Sequence, residues 1–166
     1  MRKQCAEALL EVGFDGYGYG GWPLDADGKL LRDMLAYTRE LTTGFPLHAL
    51  GVGHPENVAA CAAMGYEMFD SVLPTRDARR GRLYTFTSPS GLPDKWFKYL
   101  YINDEKHIKD ANPLSEFCDC RTCQYYSSGY LHHLFKINDH LFPRLATIHN
   151  LRFMTRLEER LRKTHG

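Results

Sequence analysis

The stretch Phe45–Pro74, FPLHALGVGHPENVAACAAMGYEMFDSVLP, decides the fold. Its opening, Phe45 to Gly53, is a nearly continuous apolar run that ends in glycines, as in a strand of a covered sheet. Pro55 sits where a helix begins, because the first helical position needs no N–H, and Glu56 suits the positive helix end. Gly65 closes that helix, and a second apolar run, Met68 to Leu73, leads into Pro74. Strand, helix and strand in this order predict a parallel sheet covered by helices.

Toward the N-terminus the same pattern repeats. Residues 2–12 put Cys5, Leu9 and Val12 on one helical face, stopped by Gly13. Phe14 to Gly21 reads as a strand ending in Gly20-Gly21, and residues 29–41 bring Leu31, Leu35 and Leu41 to one side of a helix. Three such strands cannot close a barrel, and two of them would be exposed edges, so the sheet is expected to belong to something larger. After Arg82 the pattern breaks. Residues 83–117, rich in Tyr, Phe and Trp, predict a β-hairpin or irregular insertion with turns at Pro89-Ser90-Gly91 and Pro113. From Cys123 the chain reads as helical, with Leu131, Leu134 and Phe135 on one apolar face. Leu145, Ile148, Leu151, Met154, Leu157 and Leu161 form another, and Pro143 marks the start or a kink of the last helix. The expected division is therefore 1–82 and 83–166.

With 166 residues there is room for one real core and hardly for two complete domains. A formal net charge of +1 points by itself to neither a nucleic acid nor a membrane, so any electrostatic argument has to be local. No apolar stretch is long enough to span a bilayer, and MRKQCAEALLEVG carries charges where a signal peptide would be apolar; a cytoplasmic protein is expected. In that compartment Cys5 and Cys61, alone in helical patterns, read as buried thiols, whereas Cys118, Cys120 and Cys123 are crowded enough to favour a metal over disulfides.

Cys118-x-Cys120-x-x-Cys123 supplies three thiolates, and tetrahedral zinc needs a fourth ligand. His149, on the final helix, would clamp the loop to that helix; His132, His133 and His140 are further candidates. Four protein ligands leave no open position, so such a zinc is structural.

Asp70 is a single acid within the apolar run MFDSVLP, costly to bury unless it is paired or faces a functional cavity. Immediately downstream, PTRDARRGR carries Arg76, Arg79, Arg80 and Arg82. A basic loop after a strand with a lone carboxylate suits a site that grips phosphates beside a nucleophile; a structural acid beside a solvated turn is the plainer alternative. Gly18-x-Gly20-Gly21 and Gly51-x-Gly53 either let a flat ligand approach the backbone or merely form turns, and GVGHPE lacks the pattern of a phosphate loop.

FDGYGYGG, ALGVGHPENV, GYEMFDSVLPTRDARRGRLYTF, CDCRTC and ATIHNLRFMTRLEE, in that order, resemble the C-terminal half of the queuine/preQ1 tRNA-ribosyltransferase family, the tRNA-guanine transglycosylases. The resemblance extends over nearly the whole chain. It implies an α/β fold, the last three βα units of a (β/α)8 TIM barrel, with a zinc-binding insertion and C-terminal helices. It implies that Asp70 is a nucleophile attacking C1′ of the wobble-position ribose, and that a 7-deazaguanine then replaces the guanine. The cofactor implied is structural zinc on Cys118, Cys120, Cys123 and His149. Arg76 and Arg79 align with positions that read the tRNA anticodon loop, and Arg80 shares their basic stretch. Gly21 and Trp22 align with backbone positions that bind the base, while Gly20 and Gly51 end the neighbouring strands. A homodimer contacting through the zinc region is also implied.

Two departures stand out against the family pattern. The N-terminal half, with the other acids that recognise the base, is absent, so this chain is expected to be incomplete for turnover, as a fragment or as one piece of a split enzyme. And Gly20-Gly21-Trp22-Pro23-Leu24-Asp25-Ala26 stands where many bacterial members read GGLxVGE, so Pro23 restricts a peptide there and an altered base preference is expected. A paralogue that modifies DNA and a non-catalytic partner subunit are the rival readings; the retained PTRxAR and Asp70 argue against them.

Overall fold

A computed structural model of the chain describes residues 1–165, and side-chain exposure through Thr164. It divides into two compact units, Met1–Val72 and Leu73–Gly166. The division falls earlier than the expected one after Arg82, because the segment after Val72 packs with later elements.

The first unit is a three-stranded parallel sheet of β1 (Tyr17–Tyr19), β2 (Leu47–Leu50) and β3 (Met68–Asp70), in that order, with helices α1 (Arg2–Val12), α2 (Arg32–Leu41) and α3 (Pro55–Ala63). His48 lies opposite Gly18 and Met68, and Leu50 opposite Asp70. The strands are shorter than expected and alternate in burial. Tyr17, Tyr19, Leu47 and Ala49 are buried, whereas Leu50 and Met68, on the other face, are 40% and 46% exposed. The near-continuous apolar runs thus cover one face only; within this unit the second face is bare.

α3 begins as expected: His54 caps it by accepting the Glu56 N–H (3.3 Å), and Pro55 occupies the first turn. Cys61 is buried on it, where loss of hydration pushes its thiol up to about 11. Cys5 corrects the reading of α1. It is exposed, Leu9 and Val12 are exposed with it, and α1 buries no residue, because its apolar stripe has no surface to cover inside the unit. Gly13 nevertheless ends that helix in the left-handed conformation, φ 82°, with its N–H on the Leu10 carbonyl.

The second unit opens with α4 (Leu73–Arg79), followed by the antiparallel pair β4 (Arg82–Phe86) and β5 (Phe97–Tyr101), a 3-10 turn at Glu105–His107, and α5 (Arg121–Tyr125), α6 (Ser128–Lys136) and α7 (Leu141–His165). The hairpin expected in 83–117 is present; the basic loop is not. Its Pro74-Thr75-Arg76 begins a helix, since proline in a first turn costs no hydrogen bond. Pro143, third in α7, marks a start for the same reason.

Two packed centres hold the unit. Leu83, Ile102, Leu131, Leu134, Phe142 and Leu145 form a hydrophobic core. Phe153 stacks on Phe86 at 4.1 Å and meets Tyr84 edge-on at 5.5 Å. The α7 stripe read from hydrophobicity is displaced: Leu151 is 47% exposed, while Phe142, Leu145, Ala146, His149, Asn150, Phe153 and Leu157 are buried. Two polar residues sit in that face, and a reading that counts only apolar residues cannot find it. Among the described residues no helix is long and apolar enough to cross a membrane.

Candidate functional site

Asp70 ends β3 with its side chain 60% exposed, not sunk within an apolar strand. Two donors converge on its Oδ1: His48 Nε2 at 2.8 Å and the Gly51 N–H at 3.1 Å. The parallel register explains both. Leu50 faces Asp70 across the ladder, so the N–H of the next residue arrives beside the carboxylate, and Gly51 turns away with φ 75°. His48 reaches the same oxygen from two residues back, where side-chain alternation returns to that face. Neither donor engages Oδ2.

His48 is the residue of this arrangement that the sequence reading missed. Inside FPLHALG it passes as part of an apolar run. The available signal was the spacing of two: a strand alternates, so a histidine two positions before Leu50 shares the face of whatever opposes Leu50.

Gly20, Gly21 and Trp22 follow β1, and because the strands are parallel they leave the sheet at the end where Gly51 and Asp70 lie. Gly21 adopts φ 115°, and Trp22 is 73% exposed. The segment beyond is tied down. The Pro23 carbonyl accepts the Leu31 N–H at 2.9 Å, and Asp25 Oδ1 accepts the N–H groups of Asp27 and Lys29 at 2.9 and 2.8 Å.

The arginines belong to the second unit. Arg76 and Arg79 are carried on α4, and Arg80 follows them; Arg79 and Arg80 lie at the end of the helix beside Gly81. The fourth, Arg82, is structural: it donates to buried Asp77 at 2.6 Å, and Tyr84 donates its hydroxyl to the other Asp77 oxygen. Burial first, and then the hydrogen bond to Asp77, push the Tyr84 phenol far above its ordinary value, so it stays a donor. Asn150, fully buried on α7, donates to the carbonyls of Pro74 (2.9 Å) and Arg82 (3.1 Å) and accepts the Tyr84 N–H (3.1 Å). Asn150 thereby ties the first turn of α4 to β4 and α7, and Asp77 within α4 is held from β4 by Arg82 and Tyr84.

Cys118, Cys120, Cys123 and His149 come together with all their ligand atoms within 4.8 Å of one another, a set able to hold a metal ion. Cys120 caps α5, its sulfur accepting the Cys123 N–H at 3.3 Å. His149 is fully buried. Its Nε2 donates to the Tyr84 carbonyl at 2.8 Å, and its Nδ1 lies 3.6 Å from Cys120 Sγ and 3.3 Å from Cys123 Sγ. A carbonyl on one ring nitrogen fixes the tautomer and turns the other nitrogen to the sulfurs. Burial presses the His149 pKa down, but hydrogen bonds with Cys118 and Cys120 outweigh it and hold the imidazole at about 9. Hydrogen bonds with Cys118 and Cys123 pull the Cys120 thiol below its ordinary range. The other histidines are accounted for: buried His132 is 2.7 Å from the Ile102 carbonyl, and His133 and His140 are exposed. Asp119, between two of the cysteines, is gripped by Arg152 through both oxygens at 2.8 and 2.7 Å, with Arg156 at 3.4 Å; the Arg152 hydrogen bonds take its carboxyl down to about 2.

A family model described as queuine tRNA-ribosyltransferase matches residues 1–164. Proteins named queuine tRNA-ribosyltransferase that the chain is similar to include that of Thermoanaerobacter sp. (strain X514), 40% identical over 164 residues, covering 98% of this chain and 41% of the relative. That of Vibrio campbellii gives the same figures, and that of Mannheimia succiniciproducens is 39% identical over 163 residues, covering 98% and 40%. The chain spans about two-fifths of the length of these relatives.

Proposed function

The chain belongs to the queuine tRNA-ribosyltransferase family, and from that premise we propose that it is the nucleophile-bearing part of a tRNA-guanine transglycosylase. The reaction exchanges guanine at the wobble position of tRNA for a 7-deazaguanine. One observation carries the reading: an exposed carboxylate at the C-terminal end of a parallel strand, with one oxygen held by two donors and neither of them on the second oxygen. Chemistry at the C-terminal ends of strands is the rule in (β/α)8 barrels, and β1, β2 and β3 are the last three strands of one. The bare face of the sheet, with Leu50 and Met68 exposed on it, supports this, since in a closed barrel that face is the packed interior.

Asp70 Oδ2 bonds to C1′ of the ribose as the C1′–N9 bond breaks, the electron pair leaving with guanine, which takes up a proton. The incoming 7-deazaguanine gives up its N9 proton and attacks C1′, and Asp70 departs as a carboxylate. Arg76, Arg79 and Arg80 grip the anticodon loop, from which the target base must be splayed. Gly20, Gly21, Trp22 and Gly51 line the approach of the base. Pro23, whose carbonyl is already engaged by Leu31, limits reorientation of the peptide there, so competition among guanine, preQ1, preQ0 and queuine will show a ranking other than the preQ1 preference of bacterial members.

Cys118, Cys120, Cys123 and His149 would hold a zinc ion, and such a zinc would be structural. A tetrahedral zinc with ordinary Zn–S and Zn–N lengths has S···N edges of roughly 3.6 Å; the separations from His149 Nδ1 to two sulfurs are 3.6 and 3.3 Å. Four protein donors leave no position for substrate.

Asp70→Asn in the full-length polypeptide or assembly containing this chain tests the reading. Wash-out of labelled guanine from tRNA should fall about 1,000-fold or more, and the covalent protein–RNA adduct should vanish from denaturing gels. Exchange at the unmodified rate would remove Asp70 from the chemistry.

A further inference from the structure

We propose that His48 is a positioning residue for Asp70, setting which carboxylate oxygen is presented for bonding. The inference rests on Asp70 being the nucleophile. A carboxylate on a strand end rotates freely about its last bond unless something holds it, and here the two donors approach from different directions. The Gly51 N–H comes from the backbone turn after β2, and the His48 ring from within β2 on the face of the sheet that carries Asp70. Both meet the same atom, Oδ1, at 3.1 and 2.8 Å. One donor would fix a distance; two on one oxygen fix the carboxylate plane, and so fix where Oδ2 points.

The surroundings give His48 few other uses. It is half-buried, so it is not a solvated surface histidine, and the carboxylate is 60% exposed, so the pair is not a buried structural link. Its strand neighbour on one side is Gly18, whose missing side chain leaves that position to Leu50: a Cβ there would stand 2.9 Å from the Leu50 Cδ1. Leu50 is therefore crowded against the glycine strand, while the imidazole of His48, on the same face, is bonded to Asp70. On β3, Met68 faces His48 across the ladder and offers no competing acceptor for its N–H.

No proton need move through His48 for this role. Its Nε2–H donates to Oδ1 while Asp70 is a carboxylate. When Oδ2 has bonded to the sugar, Oδ1 is the carbonyl oxygen of the ester and still accepts the same hydrogen bond. The contact persists through both half-reactions and orients the leaving carboxylate in the second.

The test uses His48→Leu and His48→Gln in the full-length polypeptide or assembly. Leucine removes the donor; glutamine restores an N–H at similar reach. His48→Leu should lower kcat for guanine exchange by about 10-fold to 100-fold with the KM for tRNA little changed, and His48→Gln should recover most of the loss. Independently, nitrogen NMR of the same full-length assembly should find neutral His48 held as the Nε2–H tautomer, and Asp70→Ala should release it to a mixture. The proposal is overturned if both His48 variants exchange guanine at the unmodified rate, or if the tautomer ignores Asp70→Ala. Either result leaves Asp70 itself untouched, since that assignment fails only when Asp70→Asn retains activity. Should His48→Leu not fold, the tautomer measurement still decides.

Discussion

Asn150 and Tyr66 show how much a single polar atom carries in this chain. Asn150 satisfies three backbone groups, one in α4 and two in β4. Asn150→Leu keeps the volume and strands those groups without partners, which should cost about 2–4 kcal/mol in urea unfolding, far beyond a surface change. Tyr66 donates its hydroxyl to the Leu35 carbonyl at 3.0 Å. Burial, followed by the neighbouring Cys61 thiol, raises its phenol from 10 to about 12. Between those values the unfolded chain has released a proton that the folded chain keeps, so stability falls as pH rises from 10 through 12. Tyr66→Phe should flatten that decline, leaving the part due to Cys61, when unfolding is followed by urea titration at about pH 9, 10 and 11. Neither residue, nor His48, was legible in the sequence. Each makes sense only through a partner brought close by the fold, as His48 does with Asp70, and local periodicity gives at most the face a residue shares, not the partner it meets there.

Elements were more legible, because helices and strands announce themselves through local chemistry. Gly13, Pro55 and Gly65 punctuate helices where expected, and the β4–β5 hairpin fills the aromatic segment. Errors came where one local signal has two meanings. Proline and arginine after Leu73 suggest a loop, yet proline in a first turn is equally a helix start, and that is how α4 uses it. The metal loop was legible from its cysteines, but its second anchor was not: Arg152 on α7 holds Asp119 by a two-pronged contact. That fork ties the cysteine loop to α7 separately from the four ligand side chains. Arg152→Ala should weaken metal retention by roughly 10-fold to 100-fold, the usual consequence of removing support behind a ligand set. A competition titration against a colorimetric chelator, with Cys120→Ser as the non-binding reference, would measure it.

At the scale of the whole molecule the parallel sheet was foreseeable, and its bare second face only in part: edges were expected, an uncovered face was not. Apolar runs indicate that both faces of a strand will be covered somewhere, but not by which residues. The compact units part after Val72 and not after Arg82 for a related reason. The segment of α4 reads as a basic loop that follows the strand before it, while Asp77, Tyr84 and Asn150 bind it to β4 and α7. The metal ligands all lie in the second unit, so chelation should raise amide exchange in β4, α5 and the middle of α7 while β1, β2 and β3 keep their rates. Hydrogen-exchange mass spectrometry on the chain with and without a strong chelator would read both sets of peptides at once; equal acceleration in the two units would contradict it.

Tyr84 takes part in all of this. Its carbonyl holds His149, its N–H is held by Asn150, its hydroxyl meets Asp77, and its ring packs on Phe153. A change at the metal therefore arrives, one residue later, at the footing of the arginine helix. Stripping the ligand set should accordingly slacken α4 first, and leave the His48–Asp70 contact of the other unit as it is.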